Sequence, residues 1–209
     1  MASEVAKRMF DLLGAAIALL LLAPLLAAVA IWIKIDSPGP VLFRQQRVGR
    51  HGRPFAIRKF RTMVADAPQR GPQLTVGNDE RITRAGAFLR RAKFDELPQL
   101  VDVLAGHMSL VGPRPEMPSY LAHCPAELRD KVLAVRPGIT DPVSLEFADE
   151  SALLARAADP EREYVEVLLP RKLRAAAAYA EHANLVTDLC VIGRTLRVLW
   201  ARLFSAGAA

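Results

Sequence analysis

The longest apolar run in the sequence lies near its N-terminus and carries no charged residue over the 22 positions from Leu12 to Ile33. A helix of that length rises about 33 Å, which is enough to cross the hydrocarbon core of a bilayer. Pro24 lies near the middle of the run, where it removes a backbone hydrogen bond and forces a kink. The pattern therefore predicts an apolar membrane helix within residues 1–36 that is broken at Pro24.

Three interpretations of this run compete. A cleaved signal peptide has a shorter apolar region, and a plain spanning helix is the generic default. A re-entrant helix, which enters the bilayer and returns to the same face, is favoured by basic residues on both sides because such residues collect at the cytoplasmic face. The residues alone leave the spanning and re-entrant forms open. The basic flanks are Lys7 and Arg8 before the run, and Lys34, Arg44, Arg47, Arg50, Arg53, Arg58, Lys59 and Arg61 after it.

The pattern changes to short extended segments after the turn cluster at 36–40. Val41–Phe43 and Phe55–Ile57 flank a basic loop that contains Gly49 and Gly52, which predicts a β-hairpin. The arginines of this region are interpreted either as a solvated surface or, with modest preference, as a clamp on lipid headgroups. They are Arg44, Arg47, Arg50 and Arg53.

Helical periodicity dominates the rest of the chain and predicts an α+β, mainly helical fold. We expect helices from residue 82, over 118–135 with proline interruptions, over 164–183 and from 185 onwards. The last of these is either a core-facing helix or an amphipathic helix in the membrane interface, because Trp200 and arginines flank its leucines. The chain is thus divided into a membrane segment, 1–36, and a cytoplasmic catalytic domain, 37–209.

Two adjacent carboxylates, Asp95 and Glu96, precede a short predicted helix. Leu97, Leu100, Val101 and Leu104 follow the helical period, Gly106 ends it, and Pro98 is tolerated only in a first turn. A carboxylate at such a position is most often a helix cap. The surrounding cations and the proline-framed turn at 112–115 raise the alternative of a phosphate-handling site with an anionic nucleophile or metal ligand. The cations before the pair are Arg90, Arg91 and Lys93.

Charge changes this picture only slightly. A net charge of +6 and a pI near 9.7 suit a polyanionic partner. Nucleic acid is disfavoured because the basic residues are not interleaved with aromatic ones, as a stacking surface requires. Cys124 and Cys190 lie far apart without metal-ligand spacing, so both are expected to be reduced packing residues.

A series of collinear motifs resembles the bacterial sugar transferase family, and most closely its small members, the monotopic phosphoglycosyl transferases. The likeness covers nearly the whole chain in order. The motifs are KRMFD at 7–11, the proline-containing apolar helix, SPGPVLFRQQRVG at 37–49, KFRTM at 59–63, FDELPQL at 94–100, MSLVGPRPE at 108–116, PGIT at 137–140 and LPRKL at 169–173.

The resemblance implies transfer of a sugar 1-phosphate from a UDP-sugar to undecaprenyl phosphate, with release of UMP. It implies that Asp95 is the nucleophile of a covalent phosphosugar intermediate and that Mg²⁺ is required. It further implies a re-entrant N-terminal helix, phospholipid contact and a place at the cytoplasmic face of the bacterial inner membrane.

The residue chemistry agrees with this implication. A divalent metal held by Asp95 and Glu96 would neutralise the diphosphate, and Glu96 could also orient Asp95. Arg90 and Arg114 are expected to bind phosphate oxygens through their forked guanidinium groups, with Lys59 as a further contact. The alternative is a non-catalytic membrane-anchored scaffold, which would have no need of a nucleophile.

Two departures from the family pattern stand out. Ala23 replaces the serine that often precedes the helix-breaking proline, and His107 replaces a common aspartate and is given no role. The sequence does not identify the sugar, the glycan pathway or the oligomeric state. Selection of the sugar is expected to depend on residues 66–80 and 141–165.

Overall fold

The computed structural model describes residues 2–72, 74–77, 79–143 and 153–204. This part of the chain is mainly helical with two small sheets, which confirms the coarse fold class. Short 3₁₀ turns cover Arg50–Gly52 and Phe94–Glu96, and a π-helical segment covers Tyr164–Leu168. The elements are α1 Ala2–Asp36, β1 Leu42–Val48, β2 Pro54–Phe60, α2 Ala67–Arg70, α3 Arg84–Ala92, α4 Gln99–Leu104, β3 Ser109–Val111, α5 Pro118–Leu121, α6 Ala126–Leu133, β4 Gly138–Thr140, α7 Pro160–Glu163, α8 Leu169–His182 and α9 Leu185–Phe204.

The predicted hairpin is present, and its strands are longer than expected. β1 and β2 pair antiparallel from Leu42 opposite Phe60 to Val48 opposite Pro54. His51 and Gly52 adopt left-handed backbone conformations that turn the chain between the strands. The hairpin presents Phe55 and Ile57 to the core, and β2 carries Lys59 beside them.

A second sheet was not predicted. β3 and β4 pair in parallel, with Ser109 opposite Gly138 and Val111 opposite Thr140. The backbones then approach so closely that a Cβ on Gly138 would lie 2.1 Å from the nitrogen of Gly112. This contact joins segments that are far apart in sequence, and it fixes the start of the turn at 112–115 that carries Arg114.

The structure does not interrupt the helix at Pro24, and the kink expected there stays a prediction. Pro24 lies inside α1, and the helix continues without interruption on both sides of it. A proline removes only one backbone donor, and here both halves of the helix are held by packing. Leu22, before the proline, packs against the cluster around Phe55, and Leu25, after it, packs against the cluster around Phe60. The re-entrant path through a bilayer stays a prediction.

One face of α1 belongs to the same core as the rest of the chain. Ala15 is fully buried in a cluster with Phe55, Leu100 and Met108. Further along the helix, Val29 and Ile33 pack with Phe60 and Leu89. The segment 1–36 therefore shares its buried face with residues 37–209 rather than standing apart from them.

Both ends of α1 are also fixed by polar contacts. Near the N-terminus, the Arg8 guanidinium donates to the carbonyl of Val103 at 2.8 Å. At the other end, the Asp36 carboxylate accepts from the backbone N–H of Ala85 at 3.0 Å. Arg61 donates to the Ser37 hydroxyl and carbonyl at 2.7 and 2.8 Å. The two ends of one apolar helix thus contact the same body of protein.

The opposite face of α1 is apolar and exposed. Leu20 and Ile35, for example, are 77% and 79% accessible. Within the described residues, α1 is also the one helix long and apolar enough to cross a membrane. An exposed apolar surface of this length indicates an interaction with lipid or with another protein.

The last helix, α9, is amphipathic, but its buried side is narrower than predicted. Asp188 and Val191 are buried, whereas Leu189 and Leu196 are exposed. The core-facing interpretation is therefore wrong for these two leucines. Cys190 is exposed on the same helix, so only Cys124 is the packing residue that was expected. The side chains of Arg202 and Leu203 lie outside the described part of the chain.

Candidate active site

The two candidate carboxylates lie in a turn between two helices. Lys93 adopts a left-handed conformation that ends α3, and the 3₁₀ turn Phe94–Glu96, which we call the acidic turn, follows at once. Pro98 then leads into α4. The predicted position before a short helix is confirmed. Both carboxylates are buried, with Asp95 9% and Glu96 8% exposed.

Glu96 is surrounded by cations. The Lys59 ammonium on β2 lies 2.8 Å from Glu96 Oε1, and the Arg114 guanidinium donates to both carboxylate oxygens. Burial alone would raise the pKa of Glu96, but the charges of Arg114 and Lys59 outweigh it and hold that pKa well below its usual range. Three residues that are distant in sequence are thus brought together as one ionised cluster.

Asp95 is the opposite case. Its Oδ1 atom is buried and has no hydrogen-bond partner. Burial raises the pKa of this carboxyl, the neighbouring charge of Glu96 raises it further, and Lys59, Lys93 and Arg90 offset the shift only in part. The side chain is therefore a carboxylate with an uncommitted oxygen among cations, as a nucleophile or a ligand requires.

Arg90 approaches the acidic turn from α3. Its Nε donates to the Thr62 hydroxyl at 2.8 Å, and its charge interacts with that of Asp95. Burial lowers the pKa of Arg90, as expected for a guanidinium group withdrawn from water. All five residues predicted for catalysis or phosphate binding lie in this one region: Lys59, Arg90, Asp95, Glu96 and Arg114.

The structure gives Arg47 a place that the sequence did not indicate. It lies on β1 rather than in a free loop, and its Nη1 donates to the carbonyl of Pro115 at 3.1 Å. The N–H of Val48 donates to the carbonyl of Glu116 at 3.0 Å. Together these bonds attach β1 to the turn that carries Arg114. Residues 42–48 show no regular alternation of apolar and polar side chains, so no local pattern indicated that Arg47 lies on a strand.

Other arginines of the proposed lipid clamp also contact protein. Arg50 forms an ion pair with Glu4 and donates to the carbonyl of Ala134 at 2.9 Å. Lys7 pairs with Asp11 and Asp188. His107 stacks on Phe55 with ring centroids 5.6 Å apart, which is a packing contact. Contact of Arg44 and Arg53 with lipid stays a prediction.

The donor set fits a magnesium ion through Asp95 more readily than through Glu96. Asp95 Oδ1 is a buried, unpartnered oxygen, whereas both Glu96 oxygens already accept from cations. No group of three or more His, Cys, Asp or Glu side chains suited to a metal occurs among the described residues. Mg²⁺ usually takes one or two carboxylates and completes its shell with water and substrate phosphates. The site fits that arrangement, with Asp95 as the protein ligand.

A buried carboxylate pair among cations and a long helix with an exposed apolar face together fit a membrane-associated protein. The chain belongs to the bacterial sugar transferase family, which it matches over residues 2–202.

Three relatives illustrate the similarity. A UDP-glucose:undecaprenyl-phosphate glucose-1-phosphate transferase of Caulobacter vibrioides is 38% identical over 199 residues, covering 93% of this chain and 70% of the relative. A UDP-N-acetylgalactosamine-undecaprenyl-phosphate N-acetylgalactosaminephosphotransferase of Aeromonas hydrophila is 46% identical over 136 residues, covering 64% and 32%. A putative undecaprenyl-phosphate N-acetylgalactosaminyl 1-phosphate transferase of Bacillus subtilis is 46% identical over 114 residues, covering 54% and 64%. The match thus spans about a third of the Aeromonas protein and just under two thirds of the Bacillus protein.

Proposed function

We propose that this protein transfers a sugar 1-phosphate from a UDP-sugar to undecaprenyl phosphate, giving UMP and an undecaprenyl-diphosphate sugar. The observation that carries the proposal is the acidic turn itself. Asp95 keeps a buried oxygen without a partner, beside the cluster of Lys59, Glu96 and Arg114. The named activities of the Caulobacter and Aeromonas relatives support the same reaction class.

In the first step, a carboxylate oxygen of Asp95 attacks the sugar-linked phosphorus of the donor. A bond forms between that oxygen and phosphorus, and the bond from phosphorus to the bridging oxygen of the diphosphate breaks. UMP leaves with the electron pair. The product is a phosphosugar ester of Asp95, and no proton needs to move.

In the second step, a phosphate oxygen of the polyprenol acceptor attacks the same phosphorus. The ester bond to Asp95 breaks, the carboxylate is regenerated, and the lipid carries a new diphosphate linkage to the sugar. Both steps bring anions together, so their charge must be offset. Arg90 and Lys59 would supply positive charge at the phosphates, and Arg114 would do so from its place against Glu96.

Glu96 serves to hold this charge in place. Its contacts with Lys59 and Arg114 fix two cations beside Asp95 and keep Glu96 itself ionised. Asp95 would hold Mg²⁺ together with phosphate oxygens of the substrate. When bound, the metal supplies further neutralisation of the diphosphate.

We place the protein at the inner membrane, with its catalytic domain at the cytoplasmic face. The exposed apolar face of α1 supports contact with the lipid bilayer. The contacts of Arg8 and Asp36 with one body of protein favour a helix whose two ends lie on the same side of the bilayer. A helix spanning the bilayer would separate these two ends by the full hydrocarbon core.

The test is UMP release from a panel of UDP-sugars in the presence of undecaprenyl phosphate and Mg²⁺. We expect release from at least one donor, dependent on the lipid acceptor and abolished by Asp95→Asn. The productive donor would identify the sugar. Specific lipid binding without release from any donor would contradict the proposal and favour the membrane-anchored scaffold.

A further inference from the structure

Arg90 reaches the acidic turn from a helix whose position is fixed by the backbone of Thr62. The carbonyl of Thr62 accepts from the N–H of Thr83 at 3.0 Å, where α3 begins. A Cβ on Gly86 would lie 1.9 Å from the same carbonyl oxygen, so the first turn of α3 rests directly on this peptide. The start of the helix therefore has little freedom to shift relative to Thr62.

The side chain of Thr62 makes a second contact with the same helix. Thr62 is buried, and its hydroxyl accepts from Arg90 Nε at 2.8 Å. Neither Nη1 nor Nη2 of Arg90 donates a hydrogen bond to any residue that the structure describes. The inner nitrogen of the fork is thus occupied by Thr62, while the charge of the guanidinium group interacts with those of both Asp95 and Asp79.

We infer that Thr62 is a positioning residue for phosphate binding, because its hydroxyl holds Arg90 by Nε and leaves both Nη atoms to grip a phosphate of the donor. The inference rests on the proposed function. Arginine binds phosphate best through two parallel hydrogen bonds, which demand a fixed orientation of the guanidinium plane. A long side chain loses entropy when it is ordered, and Thr62 removes part of that cost before the substrate arrives.

The contacts of Arg61 show why Thr62, and not its neighbour, holds Arg90. Arg61 turns the other way and donates to Ser37 and to the carbonyl of Pro40, so it is committed to α1. Thr62, next in sequence, is the side chain that reaches Arg90. The KFRTM motif thus joins three functions in consecutive order, with Lys59 at Glu96, Arg61 at α1 and Thr62 at Arg90.

The test compares Thr62→Val, which keeps the shape and loses the acceptor, with Thr62→Ser, which keeps the hydroxyl. In full-length protein we expect Thr62→Val to lower kcat/KM for the UDP-sugar about tenfold to a hundredfold, the range for a hydrogen bond to a charged group. Thr62→Ser should retain most of the wild-type kcat/KM. The matched control is Thr83→Val, which removes the hydroxyl that caps α3 by accepting from Gly86 and does not touch Arg90.

A double-mutant cycle separates positioning from general stability. In an Arg90→Ala background, Thr62→Val should cause no further loss if it acts through Arg90. Independent, multiplying effects of the two substitutions would overturn the inference. So would a Thr62→Val enzyme within twofold of the wild type, or a loss equal to that of Thr83→Val at the same change in stability.

Binding of UDP, measured by calorimetry without turnover, distinguishes the two proposals. Weaker binding by Thr62→Val, with no UMP release by the wild type from any donor, would support the role of Thr62 and contradict the proposed reaction. Normal turnover by both the wild type and the Thr62→Val variant would support the proposed reaction and contradict the role of Thr62. If the wild type neither binds UDP nor releases UMP, both proposals are overturned.

Discussion

Two buried aspartates, Asp11 in α1 and Asp95 in the acidic turn, lie in opposite surroundings. Asp11 is 2% exposed, and its Oδ1 accepts from the Lys7 ammonium, the Ser109 hydroxyl and the N–H of Leu110 at 2.9 to 3.1 Å. Asp95 is buried to a similar degree and leaves Oδ1 without a partner. Two buried aspartates thus differ greatly in their hydrogen bonding.

The difference distinguishes a structural carboxylate from a reactive one. A buried ion stabilises a fold only when its charge is paired and its lone pairs are used, and Asp11 meets both conditions. Asp95 meets neither condition in full. Its buried Oδ1 lacks a hydrogen bond, and its charge is only partly offset, so the carboxylate reduces the stability of the fold. Residues that reduce stability in this way are concentrated at functional sites, where a ligand or substrate supplies the missing hydrogen bond or charge.

The strongest test of the contrast is Asp95→Asn. We expect it to lower UMP release by about three orders of magnitude or more, because an amide cannot replace an anionic nucleophile. The same change should raise the thermal midpoint, because it removes a dehydrated charge. The activity and the thermal midpoint are measured on one preparation, by UMP release and by a thermal melt in detergent. Substantial remaining turnover would exclude the covalent role of Asp95.

Asp11→Asn is the matched change in the other region. We expect it to destabilise the fold by about 2 kcal/mol, the order for a hydrogen bond to a charged group, because Lys7 would lose one of its two anionic partners and keep only Asp188. Activity per folded molecule should remain near that of the wild type. The measurement is the midpoint of chemical denaturation. An Asp11→Asn protein as stable as the wild type would contradict the structural role assigned to Asp11.

Arg114→Lys tests whether fork geometry matters at the acidic turn. Lysine keeps the charge beside Glu96 but lacks the planar fork from which Nη1 and Nη2 of Arg114 donate to the two carboxylate oxygens. We expect kcat/KM to fall about tenfold or more. Arg129→Lys, on the exposed side of α6 and paired with Asp130, is the control and should have no effect. Near-normal kinetics for Arg114→Lys would remove that residue from the site.

The smallest expected effect is a pH dependence of opposite sign at the two neighbouring carboxylates. The pKa of Asp95 is raised by folding, so its contribution to stability is present below the unfolded pKa and lost as pH rises through the folded pKa. The pKa of Glu96 is lowered, so its contribution is present above the unfolded pKa and lost as pH falls through the folded one. As pH rises above about 4, the gain from Asp95→Asn should therefore increase until the folded pKa of Asp95 is passed, whereas the loss from Glu96→Gln should increase only up to about pH 5 and stay constant above it.

Thermal melts of the two variants and the wild type across this range provide the measurement. A Glu96→Gln protein whose deficit shrinks as pH rises would contradict the assigned charge states. In the activity assay, kcat/KM should rise with pH through the raised pKa of Asp95, since only the ionised carboxylate attacks.

Much of the local structure could be predicted from the sequence because it depends on near neighbours. Pro98 and the leucine spacing placed the acidic turn before α4. The glycines between two extended segments indicated the hairpin. In each case the determining residues lie within a few positions of the element they shape.

What the sequence did not reveal depends on contacts between distant segments. The parallel pairing of β3 with β4, the bond from Arg90 to Thr62 and the ion pair of Arg114 with Glu96 join residues separated by 18 to 29 positions along the chain. No local pattern encodes such partners. The continuity of α1 through Pro24 has the same origin, because packing on both sides of the proline outweighs its local tendency to break a helix.

The docking of α1 also has a consequence for how the protein is made. Arg8 and the carbonyl that it contacts, at Val103, are 95 residues apart. At a translation rate of about 5 to 20 residues per second, that carbonyl follows Arg8 out of the ribosome by roughly 5 to 20 s. During most of this interval the buried face around Ala15 lacks Leu100 and Met108, with which it packs in the folded chain. With the proposed membrane placement, lipid would cover this face of α1 until the rest of the domain has folded and packs against it.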